Sequence, residues 1–284
     1  MKNEPPHATP ERRPRLTRRG RLVLIVSAAV VVATAVLVPL LLVPSGEPPA
    51  EETKTVSLLV PEGQRAAQVY ASVDKVLGIE PGTTEKAATA TRLELPDAAR
   101  RNPEGYLFPA TYPVEAGATP AGLLGYMVDT ARERFGAERV TAGARGNGVS
   151  VYQSVTIASI VQAEADTPTD MGRVARVVHN RLARDMPLQM DSTLNYALNR
   201  STLDTTHSET KTESPYNTYE FRGLPPTPIG NPGEEAMNAA INPARGDWLY
   251  FVTVAPGDTR FTADYTEHQR NVAEFNANRS AATH

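Results

Sequence analysis

The strongest constraint on this 284-residue chain is a long stretch without a charged side chain near its N-terminus. Residues 22–44 read LVLIVSAAVVVATAVLVPLLLVP, and almost every side chain there is apolar. At ~1.5 Å rise per residue, about 20 such residues cross the ~30 Å hydrocarbon core of a bilayer. The pattern predicts a transmembrane helix over residues 22–44, with the chain from residue 45 onward outside the membrane.

The charges on either side of this segment predict its orientation. Residues 1–21 carry seven Lys or Arg against two acids, a charge of +5, whereas the rest of the chain carries −8 and the total is −3. Because basic flanks stay in the cytoplasm, we expect a cytoplasmic tail, a single-pass protein of the cell membrane and an extracytoplasmic body. A cleaved secretory signal is the alternative, but its apolar region usually spans only about 7–15 residues.

Composition also excludes some functions. A basic tail on an acidic body argues against nucleic-acid binding, which needs a basic patch on the folded domain. The chain has no cysteine, which fits an exported body that folds without disulfides. His179, His207 and His268 lack the spacing of metal ligands, so we expect neither a metal nor another cofactor.

Residues 45–101 predict a linker followed by a small module. Residues 45–54 are polar and contain prolines, which is typical of an extended linker. Val56, Leu58 and Val60 alternate as in a short strand, and an apolar stripe at helical spacing follows over residues 64–79. One strand and one helix make a small α/β subdomain over residues 55–101.

Residues 102–284 predict a larger region of mixed structure. Helical patterns cover residues 122–135 and the stretch that ends near Asp166, and an aromatic and β-branched strand follows over residues 247–254. A return strand is expected from Phe261. Because these elements do not alternate as βαβ units, the expected fold class is α+β.

One carboxylate interrupts an apolar helix face in this larger region. Ile157, Ile160 and Val161 lie at helical spacing, and the i+7 position on the same face is Glu164. A carboxyl group flanked by apolar side chains holds its proton more tightly, so its pKa rises toward neutrality. That protonated state is the one a general acid requires.

The end of the helix adds to this argument. Thr167 and Pro168 predict the cap and first turn of a new helix, so Glu164 falls in the last turn of its own. An anion is unfavourable there because of the helix dipole. In the alternative interpretation Glu164 simply reaches solvent or pairs with Arg173 or Arg181.

Four strings carry a resemblance to a known family. They are EGYLFPATY (residues 104–112), ASIVQAEAD (158–166), VVHNRLARDMPLQMDSTLNYAL (177–198) and SPYNTYEFRGLPPTPIGNPGEEAMNAAINPARGDWLYFV (214–252). In this order, and behind an apolar N-terminal segment, they closely resemble the endolytic murein transglycosylases of the MltG or YceG-like family. The resemblance covers roughly residues 55–280, and the last string is long enough to be specific.

The resemblance implies a membrane-bound enzyme that cuts glycan strands of peptidoglycan internally and leaves 1,6-anhydro-N-acetylmuramic acid ends. The family's catalytic glutamate is the second acidic position of the pattern SIVE.E, which is Glu164 here, whereas Gln162 replaces the first. The family also implies a LysM-like subdomain, for which residues 55–101 occupy the place, and peptidoglycan synthases as possible partners.

Such a reaction needs only one carboxyl group, unlike ordinary glycoside hydrolysis with its two. Glu164 would donate its proton to the glycosidic oxygen and then accept the proton of the muramic sugar's own C6 hydroxyl, which closes the anhydro ring. The tethered hydroxyl avoids much of the entropic cost of bringing reactants together.

A bulky glycan also needs amide, hydroxyl and aromatic groups to hold it. The candidates for substrate binding are Glu104, Gln189, Asp191, Tyr196, Ser214, Tyr216, Asn217 and Thr218. For three of them a structural role is the alternative interpretation: Asp191 as a helix cap, Asn217 as the support of a turn, and Glu104 as the support of a loop, which the sequence favours over binding.

Two further functions fit the same residues. A muramidase that uses water would take Glu164 as acid and Asp166, Asp191 or Glu104 as second carboxylate. A non-catalytic peptidoglycan-binding scaffold would not need the acidity of Glu164 at all.

Overall fold

The computed structural model describes residues 56–200 and 206–282. The predicted tail, membrane segment and linker over residues 1–54 lie outside them. Among the described residues, no helix combines the length and apolarity needed to cross a bilayer. In chain order the elements are β1 (Val56–Leu59), α1 (Ala66–Leu77), α2 (Thr83–Ala90), β2 (Thr111–Val114), α3 (Pro120–Gly136), α4 (Glu138–Gly146), α5 (Val151–Glu164), α6 (Pro168–Ala183), α7 (Asp191–Ala197), α8 (Glu234–Ile241), β3 (Tyr250–Ala255), β4 (Asp258–Thr262) and α9 (Tyr265–Ala282).

The predicted first strand is present and pairs with a strand from beyond residue 101. β1 lies antiparallel to β2, with Val56 opposite Val114 and Leu59 opposite Thr111. The N-terminal module and the larger region therefore share a two-stranded sheet, and residues 55–284 form one compact unit. The division at residue 101 and the LysM-like character of residues 55–101 stay predictions.

Helix α5 is the centre of the core. Ser150 caps its first turn: the Ser150 hydroxyl accepts from the backbone N–H of Gln153 at 3.1 Å, and the Gln153 side chain accepts from the N–H of Ser150 at 2.8 Å. Every residue from 154 to 161 is buried, because α6 and α8 pack against this helix. The sequence predicted one apolar face, whereas the helix is enclosed on all sides in its middle two turns.

Helix α6 begins where the sequence predicted. The Thr167 hydroxyl accepts from the N–H of Asp170 at 3.2 Å, and Pro168 is the first helical residue. Near the other end, the buried side chain of Arg181 donates to the carbonyls of Leu249 at 2.6 Å and Pro187 at 2.9 Å. Arg181 thereby joins α6 to the segment that precedes β3.

The C-terminal strands form a hairpin whose limits differ from the prediction. The first strand starts at Tyr250 rather than residue 247, and the second at Asp258 rather than Phe261. The Trp248 and Leu249 carbonyls accept hydrogen bonds from side chains of α6. These two carbonyls are therefore not available for hydrogen bonds between the strands of the hairpin. The α+β fold class is confirmed.

Candidate active site

Glu164 is the last residue of α5, within the last turn that Thr167 and Pro168 predicted. The next residue, Ala165, already has extended backbone, with φ −147° and ψ 139°. The chain then turns directly into the Thr167 cap of α6. This abrupt end exposes the Glu164 side chain to a cleft instead of the core.

The pKa of Glu164 is raised above its ordinary value of 4.5. Burial of the carboxyl group is the largest cause and the negative charge of Asp191 adds to it, whereas the hydroxyl and backbone N–H of Ser192 act in the opposite direction. The Ser192 N–H donates to Glu164 Oε1 at 3.3 Å. The Ser192 hydroxyl oxygen is buried and forms no well-aligned hydrogen bond within the described ranges.

The predicted alternative, an ion pair with Arg173 or Arg181, is not what the structure shows. Arg173 Nη1 pairs with Asp170 at 3.4 Å, and the guanidinium of Arg181 is taken up by backbone carbonyls and by Gln189. Because no described cation offsets the burial, the Glu164 carboxyl group is suited to keep its proton.

Glu164 lines a cleft of about 620 Å³. The cleft is built from the end of α5, the first turns of α7, the loop between β1 and α1, and the segment before α8. Most of its lining residues carry polar side chains, and polar groups are those that orient a bound ligand. The lining residues are Glu62, Gly63, Gln64, Arg65, Gln68, Ser159, Gln162, Ala163, Glu164, Asp191, Ser192, Asn195, Arg200, Ile229 and Gly230.

Asp191 lies in the cleft beside Glu164 and does not cap α7. The cap position is Met190, and Asp191 is the first helical residue. Its Oδ1 accepts from the Tyr219 hydroxyl at 2.6 Å. Tyr219 thus fixes a second carboxylate near the first, while Asp166 lies exposed and outside the cleft lining.

Glu104 is buried behind the cleft and holds two of its elements. One carboxylate oxygen accepts from the N–H of Ala66 at 3.0 Å and the other from the Tyr196 hydroxyl at 3.0 Å. Burial raises the pKa of Glu104 to about 7, although these hydrogen bonds and the charge of Arg65 act against the shift. The loop-supporting interpretation of Glu104 is the one that these contacts fit.

Tyr196 and Tyr216 form an aromatic pair next to Glu104. Their ring centroids are 4.9 Å apart, and the Tyr216 hydroxyl lies 2.9 Å from that of Thr227. Neither residue is part of the cleft lining, so the pair supports the cleft from behind.

The remaining predicted binding residues are bonded within the protein. Asn217 is fully buried, and its side-chain amide donates to the carbonyls of Thr210 and Thr212. These bonds fit the alternative interpretation, in which Asn217 supports a turn. The Ser214 hydroxyl accepts from the N–H of Tyr216 at 3.3 Å. The role of Ser214 and Asn217 as sugar ligands stays a prediction. The same holds for Gln189 and Thr218, which are joined by a bond of 3.0 Å from the Gln189 N–H to the Thr218 carbonyl.

Sequence reasoning missed the loop between β1 and α1. Residues 62–65 and Gln68 form one wall of the cleft, although they belong to the N-terminal module. Gly63 N–H donates to the Asn231 carbonyl at 2.8 Å, and Asn231 N–H donates to the Gln64 carbonyl at 2.9 Å. The GNPG string around Asn231 is typical of a rigid loop, but a local pattern does not show which residues that loop contacts.

Gln162, the departure from the family pattern, also lies in the cleft wall. Its side-chain oxygen accepts from the N–H of Gly233, at the start of α8, at 3.0 Å. The residue thus connects α5 to α8. Across the described residues no cluster of His, Cys, Asp or Glu has the arrangement of a metal site.

The fold and the cleft together define an α+β protein that presents a carboxyl group with a raised pKa to a polar cleft. Its residues 42–274 match the YceG-like family, and the chain belongs to that family.

The relatives with known names agree with the family resemblance. The chain is 36% identical over 168 residues to an endolytic murein transglycosylase of Bacillus subtilis, with 59% of this chain and 46% of that protein covered. It is 32% identical over 251 residues to one of Streptococcus pneumoniae, with 79% and 45% covered. The chain thus spans about half the length of these curated relatives.

A solved structure supports the fold. A crystal structure of a yceG-like protein from Listeria monocytogenes is similar with a TM-score of 0.66 at 29% identity, and the match covers 76% of this chain and 75% of that one.

Proposed function

We propose that this chain is an endolytic peptidoglycan lytic transglycosylase, a lyase that cleaves the linkage between N-acetylmuramic acid and N-acetylglucosamine in nascent strands and so ends their elongation. The observation that carries the proposal is the position of Glu164, whose pKa is raised by burial at the wall of a polar cleft. The names of the B. subtilis and S. pneumoniae relatives support the same activity.

The chemistry follows from one carboxyl group. Protonated Glu164 donates to the glycosidic oxygen as the bond to the muramic C1 breaks. The C6 hydroxyl of the same sugar then attacks C1, and its proton passes to the Glu164 carboxylate. The products are a free hydroxyl on one strand and a 1,6-anhydro end on the other, and the acid is restored.

We also propose the membrane topology and the domain division that the sequence predicts. Residues 22–44 anchor the chain in the cell membrane with residues 1–21 in the cytoplasm. Residues 55–101 act as a LysM-like subdomain and residues 102–284 as the catalytic domain, both extracytoplasmic and near the synthases that make new strands.

A second candidate is a muramidase, and the position of Asp191 favours it. Asp191 lines the same cleft as Glu164, and its charge raises the pKa of Glu164. A carboxylate there, fixed by Tyr219, would activate water in a hydrolytic mechanism.

The test is incubation of the full-length chain with uncrosslinked glycan strands, followed by mass spectrometry of the products. We expect anhydro ends, and a loss of about a hundredfold or more in Glu164→Gln, as for other general acids. Asp166→Asn is the matched control, because it removes an exposed carboxyl group two residues away. Reducing ends would support the muramidase, and undiminished cleavage by Glu164→Gln would contradict both enzymes.

A further inference from the structure

The cleft contains a guanidinium group that the reaction above does not use. Arg65 lies between β1 and α1 and lines the cleft. The backbone around it is fixed on both sides, by the Gly63 and Gln64 bonds to Asn231 and by the bond from Ala66 N–H to Glu104. Arg65 is therefore held in place by the protein before any substrate binds.

Within the described residues, Arg65 uses little of its hydrogen-bonding capacity. One Nη2 hydrogen bond goes to the carbonyl of Arg200 at 2.7 Å, and the guanidinium lies 5.1 Å from the ring centre of Tyr196. A guanidinium has five N–H donors, and Arg65 forms no ion pair with any described carboxylate. The contact with the Tyr196 ring helps to hold the guanidinium, and its remaining N–H groups suit a planar anion.

A second unsatisfied group lies in the same wall. The Gln64 side-chain oxygen is buried and accepts no hydrogen bond within the described residues. Buried polar atoms without a partner are rare in folded proteins. One wall of the cleft thus offers a cation and, beside it, an acceptor for an N–H group.

Helix α7 sets the distance between this wall and Glu164. Ser192, in the first turn of α7, bonds to Glu164. Arg65 bonds to the carbonyl of Arg200, and the Arg200 N–H bonds to the carbonyl of Asn195 in the same helix. The seven residues of α7 rise ~10 Å along its axis at 1.5 Å per residue. Glu164 contacts the first turn of this helix and Arg65 contacts Tyr196 near its other end, a placement that suits Arg65 to a substituent of the bound sugars.

We propose that Arg65 and Gln64 form a subsite for the stem peptide of the substrate, with Arg65 binding a peptide carboxylate and Gln64 accepting a peptide N–H. The inference rests on the proposed function. The sugar rings of peptidoglycan are uncharged, and the muramic lactyl group carries the peptide, so the carboxylates available to Arg65 belong to that substituent.

The test compares three glycan substrates with wild type and Arg65→Gln. They are strands with intact stem peptides, the same strands with stem carboxylates converted to amides, and strands freed of peptide by an amidase, which exposes the lactyl carboxylate. On intact strands we expect Arg65→Gln to lose about tenfold or more in kcat/KM, mainly through KM, as for a charge-assisted hydrogen bond. On amidated and on peptide-free strands the two proteins are expected to differ by less than about threefold.

Controls separate the subsite from folding and from the proposed function. Arg92→Gln removes an exposed arginine of the same module and is expected to match wild type on all three substrates. Arg65→Lys keeps the charge and is expected to recover part of the loss on intact strands. An equal Arg65→Gln loss on intact and amidated strands would overturn the subsite, and a full loss on peptide-free strands would assign Arg65 to the lactyl carboxylate instead. Failure of wild type to cut any strand would reject the proposed function.

Discussion

At the scale of single residues, burial is the main cause of the raised pKa of Glu164, and two adjacent residues of α7 adjust that pKa in opposite directions. The charge of Asp191 raises the pKa of Glu164, whereas Ser192 lowers it through its hydroxyl and backbone N–H. Both residues are in the first turn of α7. This short helix therefore tunes the acid that α5 supplies.

A pair of substitutions tests this tuning. A general acid is active when protonated, so activity falls as pH rises through its pKa. Asp191→Asn removes the charge that raises the pKa of Glu164, so the alkaline limb of the kcat/KM profile should move to lower pH. Ser192→Ala removes a group that lowers it, so the limb should move to higher pH. Shifts in the same direction would contradict the account, and complete loss of activity in Asp191→Asn would favour the muramidase.

The residue scale also shows where sequence reasoning succeeded and where it could not. Glu164 was predictable because helical spacing, a following cap and the family pattern all involve neighbours in the chain. The internal hydrogen bonds of Asn217 were not predictable, because the sequence does not distinguish an asparagine that binds a sugar from one that supports a turn. Arg65 was missed since its importance depends on Asn231, which is far away in sequence.

At the scale of elements, Glu104 joins helix α1 to helix α7. Its two oxygens bond to Ala66 and Tyr196, and these helices carry the two cleft walls. The group is buried, and its pKa of about 7 lies above the ordinary 4.5. The bridge should therefore make stability depend on pH.

The sign of that dependence follows from linkage. Below about pH 4.5 Glu104 is protonated in the folded and unfolded states, and as pH rises through about 7 the folded state must ionise a buried group. The free energy of unfolding should fall over this range by at most about 3 kcal/mol. Urea unfolding at about pH 5 and about pH 8 should show a smaller decrease in Glu104→Gln than in wild type. Equal decreases would show that Glu104 is not the source.

Gly105 controls a second contact between elements. Its φ is +84°, and a Cβ atom there would lie 2.5 Å from Pro228 Cγ. Gly105→Ala should lower the free energy of unfolding by about 2–4 kcal/mol, because it adds both backbone strain and a clash. Gly125→Ala is the control, since the space around Gly125 in α3 is open, and it should raise stability by up to ~1 kcal/mol. Denaturant midpoints compare the two, and an unaffected Gly105→Ala would contradict the packing described.

Element limits were predictable where the signals were local. The start of α6 followed from Thr167 and Pro168, and the capped start of α5 agrees with its Ser150–Gln153 pattern. The pairing of β1 with β2 had no such signal, because the two strands are joined by contacts far apart in the chain.

At the scale of the whole molecule, the N-terminal module is part of the cleft that holds Glu164. β1 completes a sheet with β2, and the loop after β1 supplies a wall that faces Glu164. The sequence pattern predicts a boundary between residues 55–101 and residues 102–284, whereas the pairing of β1 with β2 joins the two regions. The described part of the protein therefore brings the Glu164 carboxyl group, a polar cleft and the Arg65 guanidinium together in one folded unit.

The most direct test of the central claim is a titration of the Glu164 carboxyl group by NMR, with ¹³C-labelled glutamate in the full-length chain. Resonances are assigned by their loss in Glu164→Gln and, for the buried Glu104, in Glu104→Gln. The account predicts that the Glu164 resonance titrates clearly above the ordinary value of 4.5, and that the pH at its midpoint matches the alkaline limb of activity. A Glu164 resonance that titrates near 4.5, together with cleavage that persists at higher pH, would contradict it.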